Sequence, residues 1–234
     1  MKKGVILFTI IFLPSIIYLF FSTGRIHFLH LPIYGERKGV KISVDANGKQ
    51  HIDTIYHSIP AFSFTNQDGS TITDKTFDGK IYVANFFFAT CQTICPKMNS
   101  GVQQVQQRFK DFPGLFFISH TVNPQFDSVP ALAEYAKKIH ADTKSWFFVT
   151  GDKKSIYDIA IDGYLLPVGE DPRAQGGFLH SEQLVLVDKE KRIRGFYDGT
   201  SVKSIGDLVD DIKTLLAEYA AHDKAEDKIT VGHP

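Results

Sequence analysis

Apolar positions fall into two kinds of run along the chain. Three compact runs, Ile81 to Ala89, Leu115 to Val122 and Trp146 to Val149, are bounded by polar, Gly, Pro or Asn/Asp residues. Their length and lack of a helical period predict buried strands. Between and after them the period lengthens. Lys97 to Phe109 is amphipathic, Val129 to Ile139 places Leu132, Tyr135, Ala136 and Ile139 on one face, and Ser155 to Ile161 fits a short helix. Alternating stretches around turn residues predict three hairpins. Val40–Val44 and Gln50–Ile55 flank Asn47-Gly48, Phe62–Phe64 and Thr71–Thr73 flank Asn66–Gly69, and Gln183–Asp188 and Arg192–Tyr197 flank Lys189–Lys191. An amphipathic helix from Ser204 to Tyr219 closes the pattern, and the last dozen residues are polar and expected to fray. Strands alternating with helices, then a hairpin and a final helix, predict an α/β sheet of mixed direction.

The fourth apolar run is different. Gly4 to Phe21 carries no charge over eighteen residues and follows Met1-Lys2-Lys3. As a helix it would be ~27 Å long, close to the ~30 Å of a bilayer core. A cleaved signal peptide is the competing reading, but Ser22-Thr23-Gly24 gives no A-x-A pattern. The expectation is an uncleaved membrane anchor. Lys2 and Lys3 stand before the span, and Arg25, Arg37, Lys38 and Lys41 after it, so charge alone does not orient it. A very short tail ahead of a first apolar segment usually stays inside, which puts the remainder outside the cytoplasmic membrane, on the periplasmic side. No cysteine follows the run closely enough to carry a lipid. The expected organisation is an anchor over 1–24, a tether with one hairpin over 25–60, the main domain over 61–222 and a flexible tail over 223–234.

Composition narrows the function. The 234 residues hold 26 Lys+Arg against 26 Asp+Glu, with no basic stripe to suggest nucleic acid. Two cysteines are too few for a disulfide scaffold. They are Cys91 and Cys95, placed between the Ile81 strand and the Lys97 helix. Pro96 fits a first helical turn and disfavours helix for the residue before it, which places Cys95 just outside the helix near its N-cap. A thiolate there is favoured by the positive helix end. The pair can close a disulfide or hold one metal ion, and a structural zinc site would need more ligands than this loop offers. Two chemistries follow: binding of a metal ion, and thiol–disulfide exchange. A thiol peroxidase is weaker, because no arginine lies near either cysteine in sequence. A redox-type pair after the first central strand looks like a thioredoxin fold. His27, His30, His51 and His57 have spacings that suit no single metal site and read as surface residues.

Four segments carry a resemblance to a known family. They are Phe88-Ala89-Thr90-Cys91-Gln92-Thr93-Ile94-Cys95-Pro96, Val122-Asn123-Pro124-Gln125-Phe126-Asp127, Trp146-Phe147-Phe148-Val149-Thr150-Gly151 and Leu179-His180-Ser181. In this order they resemble the Sco/SenC family, with a likeness running from about Ala61 to Tyr219. The resemblance implies a membrane-anchored, thioredoxin-like protein that binds copper and assists assembly of the binuclear copper site of cytochrome c oxidase, some members acting as thiol reductants. It implies copper ligation by Cys91, Cys95 and His180, with Cys91 and Cys95 as the redox pair if the protein is an oxidoreductase. The implied partners are the copper-receiving subunit of the oxidase or another copper protein, and the membrane through the N-terminal helix. Imidazole plus two thiolates suits soft Cu(I). His120 is the runner-up ligand; it shares strand parity with Phe116 and Ile118, so a core histidine is its other reading. Asn123 stands where the family usually has aspartate, while Asp127 is present. Capping of the Val129 helix accounts for Asp127 and Ser128 without any further role. The loop from Pro167 to Phe178 would have to let His180 approach the cysteines.

Overall fold

Three parallel strands form the centre of the sheet, and the reason is visible in what each buries. In the computed structural model, which describes residues 12–15, 30–44, 50–170, 178–179 and 181–231, these are β5 (Ile81–Phe87), β6 (Leu115–Thr121) and β7 (Trp146–Thr150). Every residue of β5 is buried, as expected of a strand covered on both faces. β5 pairs with β6 in parallel from Ile81↔Leu115 to Phe87↔Thr121, and β6 pairs with β7 from Phe117↔Trp146 to His120↔Val149. Successive residues point to opposite layers. Tyr82, Ala84, Phe86 and Phe88 join a cluster with Phe77, Val122, Ile156 and Tyr164, whereas Phe87 packs against Tyr135 and Phe148. One polar chain links the strands: Ser119 Oγ donates to Asn85 Oδ1 at 2.6 Å, and Trp146 Nε1 donates to Ser119 Oγ at 2.8 Å.

Antiparallel strands extend both sides. β3 (Ser63–Asn66) and β4 (Thr71–Thr73) form the expected hairpin, and β3 adds antiparallel to β7. On the other side β10 (Gln183–Val187) runs antiparallel to β5 and carries β11 (Ile193–Asp198), giving the order β11-β10-β5-β6-β7-β3-β4. A two-stranded ribbon of β8 (Gly169–Glu170) and β9 (Phe178–Leu179) precedes β10, and a separate ribbon, β1 (Arg37–Val44) with β2 (Gln50–Tyr56), matches the first predicted hairpin. Its Asn47-Gly48 turn lies outside the described residues.

The helices are α1 (Ile94–Arg108), α2 (Val129–Lys138), α3 (Lys153–Asp158) and α4 (Val202–Val231). α3 runs into one wider turn over Ile159–Gly163, closed by Tyr164 N–H on Ile159 C=O at 2.8 Å. α1 lies so close to α4 that a Cβ on Gly101 would sit 2.7 Å from Ile205 Cδ1. α4 is longer than its apolar stripe predicts. Beyond Tyr219 the Ala/Glu/Asp/Lys-rich sequence propagates the helix through intrinsic propensity.

The chain separates into two units. One is Leu31–Leu216, which carries the sheet. The other comprises the terminal segments, where residues 12–15 are helical and α4 continues from Ala217. Among the described residues no helix is long and apolar enough to cross a membrane, and of Gly4–Phe21 only 12–15 are described.

The segment expected as a tether contributes packed residues to the sheet-bearing unit. Ile59 is buried in the core, Tyr34 N–H bonds Ile193 C=O at 2.9 Å, and Arg194 donates to the carbonyls of Leu31 and Pro32. His57, read from sequence as a surface residue, is buried with Nε2 2.7 Å from Gly163 C=O. A carbonyl freed by the wide turn needs a partner, and this imidazole supplies it.

Candidate metal and redox site

Loops at the C-terminal ends of parallel strands collect at one edge of the sheet. β5 ends there at Phe87, and the chain turns at once, with Cys91 N–H on Phe88 C=O at 3.1 Å. α1 begins at Ile94 with Thr93 as N-cap, so Cys95 and Pro96 both lie inside its first turn. This corrects the placement of Cys95 outside the helix. The first-turn amides have no acceptor within the helix, so Pro96 forfeits nothing there, and the bias against helix for the residue before proline is overcome by burial of Cys95. Cys95, Met98, Asn99, Val102 and Val105 form the buried face of α1.

The two thiols occupy unlike surroundings. Cys95 is buried and Cys91 half-buried, and neither is in a disulfide. Cys95 N–H donates to Cys91 Sγ at 3.5 Å, so the sulfur serves one of the helix's orphan amides. Partial burial raises the Cys91 thiol's pKa, but hydrogen bonds from the Cys95, Thr93 and Ile94 amides and from the Cys95 thiol outweigh it, leaving it below the ordinary value. Burial pushes the Cys95 thiol strongly up, with the neighbouring Cys91 sulfur and Asp127 adding to the shift. The geometry therefore yields one accessible, more acidic sulfur and one sequestered sulfur within hydrogen-bonding reach of each other.

A second loop braces the first. Asp127 follows β6 and is buried; its Oδ2 accepts Ala89 N–H at 3.1 Å and the Thr121 hydroxyl. Ser128 is the N-cap of α2, but neither it nor Asp127 caps that helix through its side chain, so the capping account of Asp127 does not hold. Its carboxylate is spent on the cysteine loop instead. Burial raises the Asp127 pKa, and the Thr121 and Ala89 hydrogen bonds oppose the rise. Asn123 Oδ1 is buried without a partner among the described residues. Sequence reading missed this brace, because an acid two residues before a helix is most often a cap.

His120 is fully buried, with neither ring nitrogen hydrogen-bonded among the described residues. It stacks on Phe86 with centroids 5.0 Å apart and meets the edges of Phe62 and Phe64. The core reading of His120 stands. His180 and most of the Pro167–Phe178 loop lie outside the described residues. β10 begins at Gln183, and its pairing of Val185 with Ala84 and Val187 with Tyr82 means that it enters the sheet at the edge where the cysteine loop leaves β5. Among the described residues no group of three or more His, Cys, Asp or Glu could hold a metal ion.

A sequence model of the SCO1/SenC family matches residues 52–217. The chain belongs to the SCO1/SenC family. Among solved Sco structures, it is similar to a SCO1/SenC family lipoprotein from Bacillus anthracis str. Ames, at 30% identity and a TM-score of 0.63, covering 68% of this chain and 95% of that one. It is also similar to BsSco, a member of the Sco family of cytochrome c oxidase assembly proteins in which a disulfide switch has been identified, at 25% identity and a TM-score of 0.61, covering 68% and 93%. Arabidopsis thaliana ScoI, solved with copper bound, is 25% identical with a TM-score of 0.56, covering 66% of this chain and 97% of that one. The mixed α/β architecture is the thioredoxin-like fold of these Sco proteins.

Proposed function

We propose that the chain is a copper-binding metallochaperone that assists assembly of the binuclear copper site of cytochrome c oxidase. The observation that carries this reading is the pair of neighbouring thiols where β5 turns into α1, Cys91 reachable in the loop and Cys95 buried in the first turn of the helix. Copper is the cargo. Two thiolates form a soft donor pair for Cu(I), and the imidazole of His180 completes a three-coordinate set without adding charge. His180 stands one residue before Ser181, on the chain leading to the edge where β10 enters beside β5. Cys91 is the sulfur that an incoming or departing ion meets first. Cys95 must give up a proton that its burial favours, so loading competes with protons and weakens as pH falls. The amides at the start of α1 offset the negative charge left on the site. The run Gly4–Phe21 anchors the protein in a membrane, with the copper-binding domain on the periplasmic side; the lipoprotein nature of the Bacillus anthracis relative fits membrane association. The partner is the copper-receiving subunit of the oxidase or another copper protein.

The unequal thiols also suit a second reading, a thiol–disulfide oxidoreductase. Cys91 thiolate would attack a target disulfide and expel one target thiolate, and Cys95 would then attack Cys91 Sγ, releasing the second thiol and leaving the pair oxidised.

Titration of the reduced full-length protein with Cu(I) separates the two. One equivalent should bind. Cys91→Ser or Cys95→Ser should nearly abolish binding, since each replaces a soft ligand by a hard, protonated one. His180→Ala should weaken binding and alter the spectrum, and His120→Ala should change little. If both cysteine variants keep full copper affinity, the metallochaperone reading falls and the oxidoreductase reading takes its place.

A further inference from the structure

We propose that Phe126, with the uncharged surface around the cysteine loop, docks the protein that receives the copper, and that this partner presents an apolar depression beside its own metal ligands. The proposal rests on the reading of Cys91 and Cys95 as the transfer site.

Phe126 is 75% exposed. Its loop is nevertheless held firmly. Phe126 N–H and Asp127 N–H both donate to Asn123 C=O, at 3.1 and 3.0 Å, Ser128 N–H donates to Phe126 C=O at 3.0 Å, and Asn123 N–H donates to Thr121 Oγ1 at 3.0 Å. The buried Asp127 carboxylate then ties the loop to Ala89 N–H, two residues before Cys91. A large apolar ring on a pre-ordered loop loses little conformational freedom on binding, which is the property of an interface anchor.

Position supplies the occupant. Summing the chain links on either side of the Ala89–Asp127 hydrogen bond keeps the Cα atoms of Cys91 and Phe126 within about 20 Å of each other. A protein partner covers about 800 Å² on each side. A face of that size is roughly 30 Å across, so a protein that brings a ligand atom to copper at Cys91 has Phe126 within reach of its contact face.

Charge is missing from the two loops in a way that fits. From Ala84 to Pro96 no residue is charged, and from Thr121 to Ala133 the one acidic or basic residue is the buried Asp127. The chain as a whole is 22% charged. The first charges beyond are the exposed Lys97 and Glu134. An aromatic anchor in a charge-depleted centre with charges at the margin is the composition of a protein interface core with its rim.

The test uses the copper-loaded full-length protein in detergent and, as probe, the copper-free soluble domain of the oxidase subunit that carries the binuclear copper site, from the same organism. Association and copper transfer are measured at subsaturating domain, and extraction by the small chelator bathocuproine disulfonate runs in parallel. Phe126→Asp should weaken association and slow transfer by about tenfold or more, with Phe126→Leu close to wild type and chelator extraction unchanged in both. Equal transfer by wild type and Phe126→Asp overturns the proposal. So does a matching slowing of chelator extraction, which would mean that the ring supports the site locally. Failure of wild type to associate with the domain overturns it too, as does a wild-type dimer that Phe126→Asp splits, which would make a second copy the occupant. Loss of the copper reading shows separately, as a wild-type protein that takes up no Cu(I); the association arm still reports on docking in that case.

Discussion

His120 shows how one residue can carry a pH dependence for the whole fold. Its imidazole is sealed among aromatic rings, and burial pushes its pKa down to about 3 from 6.5. The folded state therefore holds it neutral where the unfolded chain binds a proton. Stability from this group is fully present above about pH 6.5 and is lost progressively as pH falls toward 3, at about 1.4 kcal/mol per unit. At pH 5 the loss reaches about 2 kcal/mol. His120→Leu removes both the proton site and two unsatisfied buried nitrogens, so it should flatten that slope and raise stability at neutral pH by about 1–3 kcal/mol. Urea unfolding at pH 7 and pH 5 measures both effects; an unchanged slope in the variant would assign the acid sensitivity elsewhere. The strand parity of His120 with Phe116 and Ile118 made its burial legible in the sequence. His57 gave no such signal, because a residue that pairs with one distant carbonyl belongs to no periodic pattern.

At the level of elements, periodicity located the three central strands, three hairpins and four helices. It could not show what lies between them. The β10–β11 turn is one case. Asp188 accepts from Arg192 Nε at 2.8 Å and from Arg194 Nη1 at 3.1 Å, and Arg194 goes on to bond Leu31 C=O at 2.8 Å and Pro32 C=O at 3.2 Å. In sequence these are ordinary charges around a polar turn; only the fold makes them a clamp on residues more than 160 positions away. The Arg194 and Asp188 side chains are 4% and 0% exposed. Arg194→Met should cost about 1–3 kcal/mol, because Arg192 still pairs Asp188 while the guanidinium bonds to the Leu31 and Pro32 carbonyls are lost. Denaturant unfolding gives the total, and faster hydrogen exchange at Tyr34 N–H, bonded to Ile193, would locate the loss at the clamp. A change below 1 kcal/mol with Tyr34 still protected would show that the clamp is redundant. The start of α1 was misplaced from sequence for a related reason: burial of Cys95 is a tertiary effect, and it outweighed the local bias set by Pro96.

For the whole molecule, the sequence disclosed an α/β sheet of mixed direction but not its strand order. Parallel pairing of β5, β6 and β7 follows from the helices between them. That β3 crosses to β7, and β10 to the open side of β5, depends on packing between distant segments. The second of these pairings sets the order in which the molecule can assemble. β5 carries the cysteine loop at its end, and until β10 arrives one edge of this strand, every residue of which is buried in the finished fold, has no partner. Ninety-five residues separate Phe87 from Gln183, so a growing chain exposes that edge through much of its synthesis. Non-local pairings of this kind form late and leave a template for aggregation meanwhile. In pulse-labelled refolding the amides between β5 and β6 should gain protection before those between β5 and β10; simultaneous protection would argue for a single concerted step. A chain cut short before Gln183 should hold both cysteines yet aggregate, which makes the last 52 residues the guardian of the strand that bears the protein's chemistry.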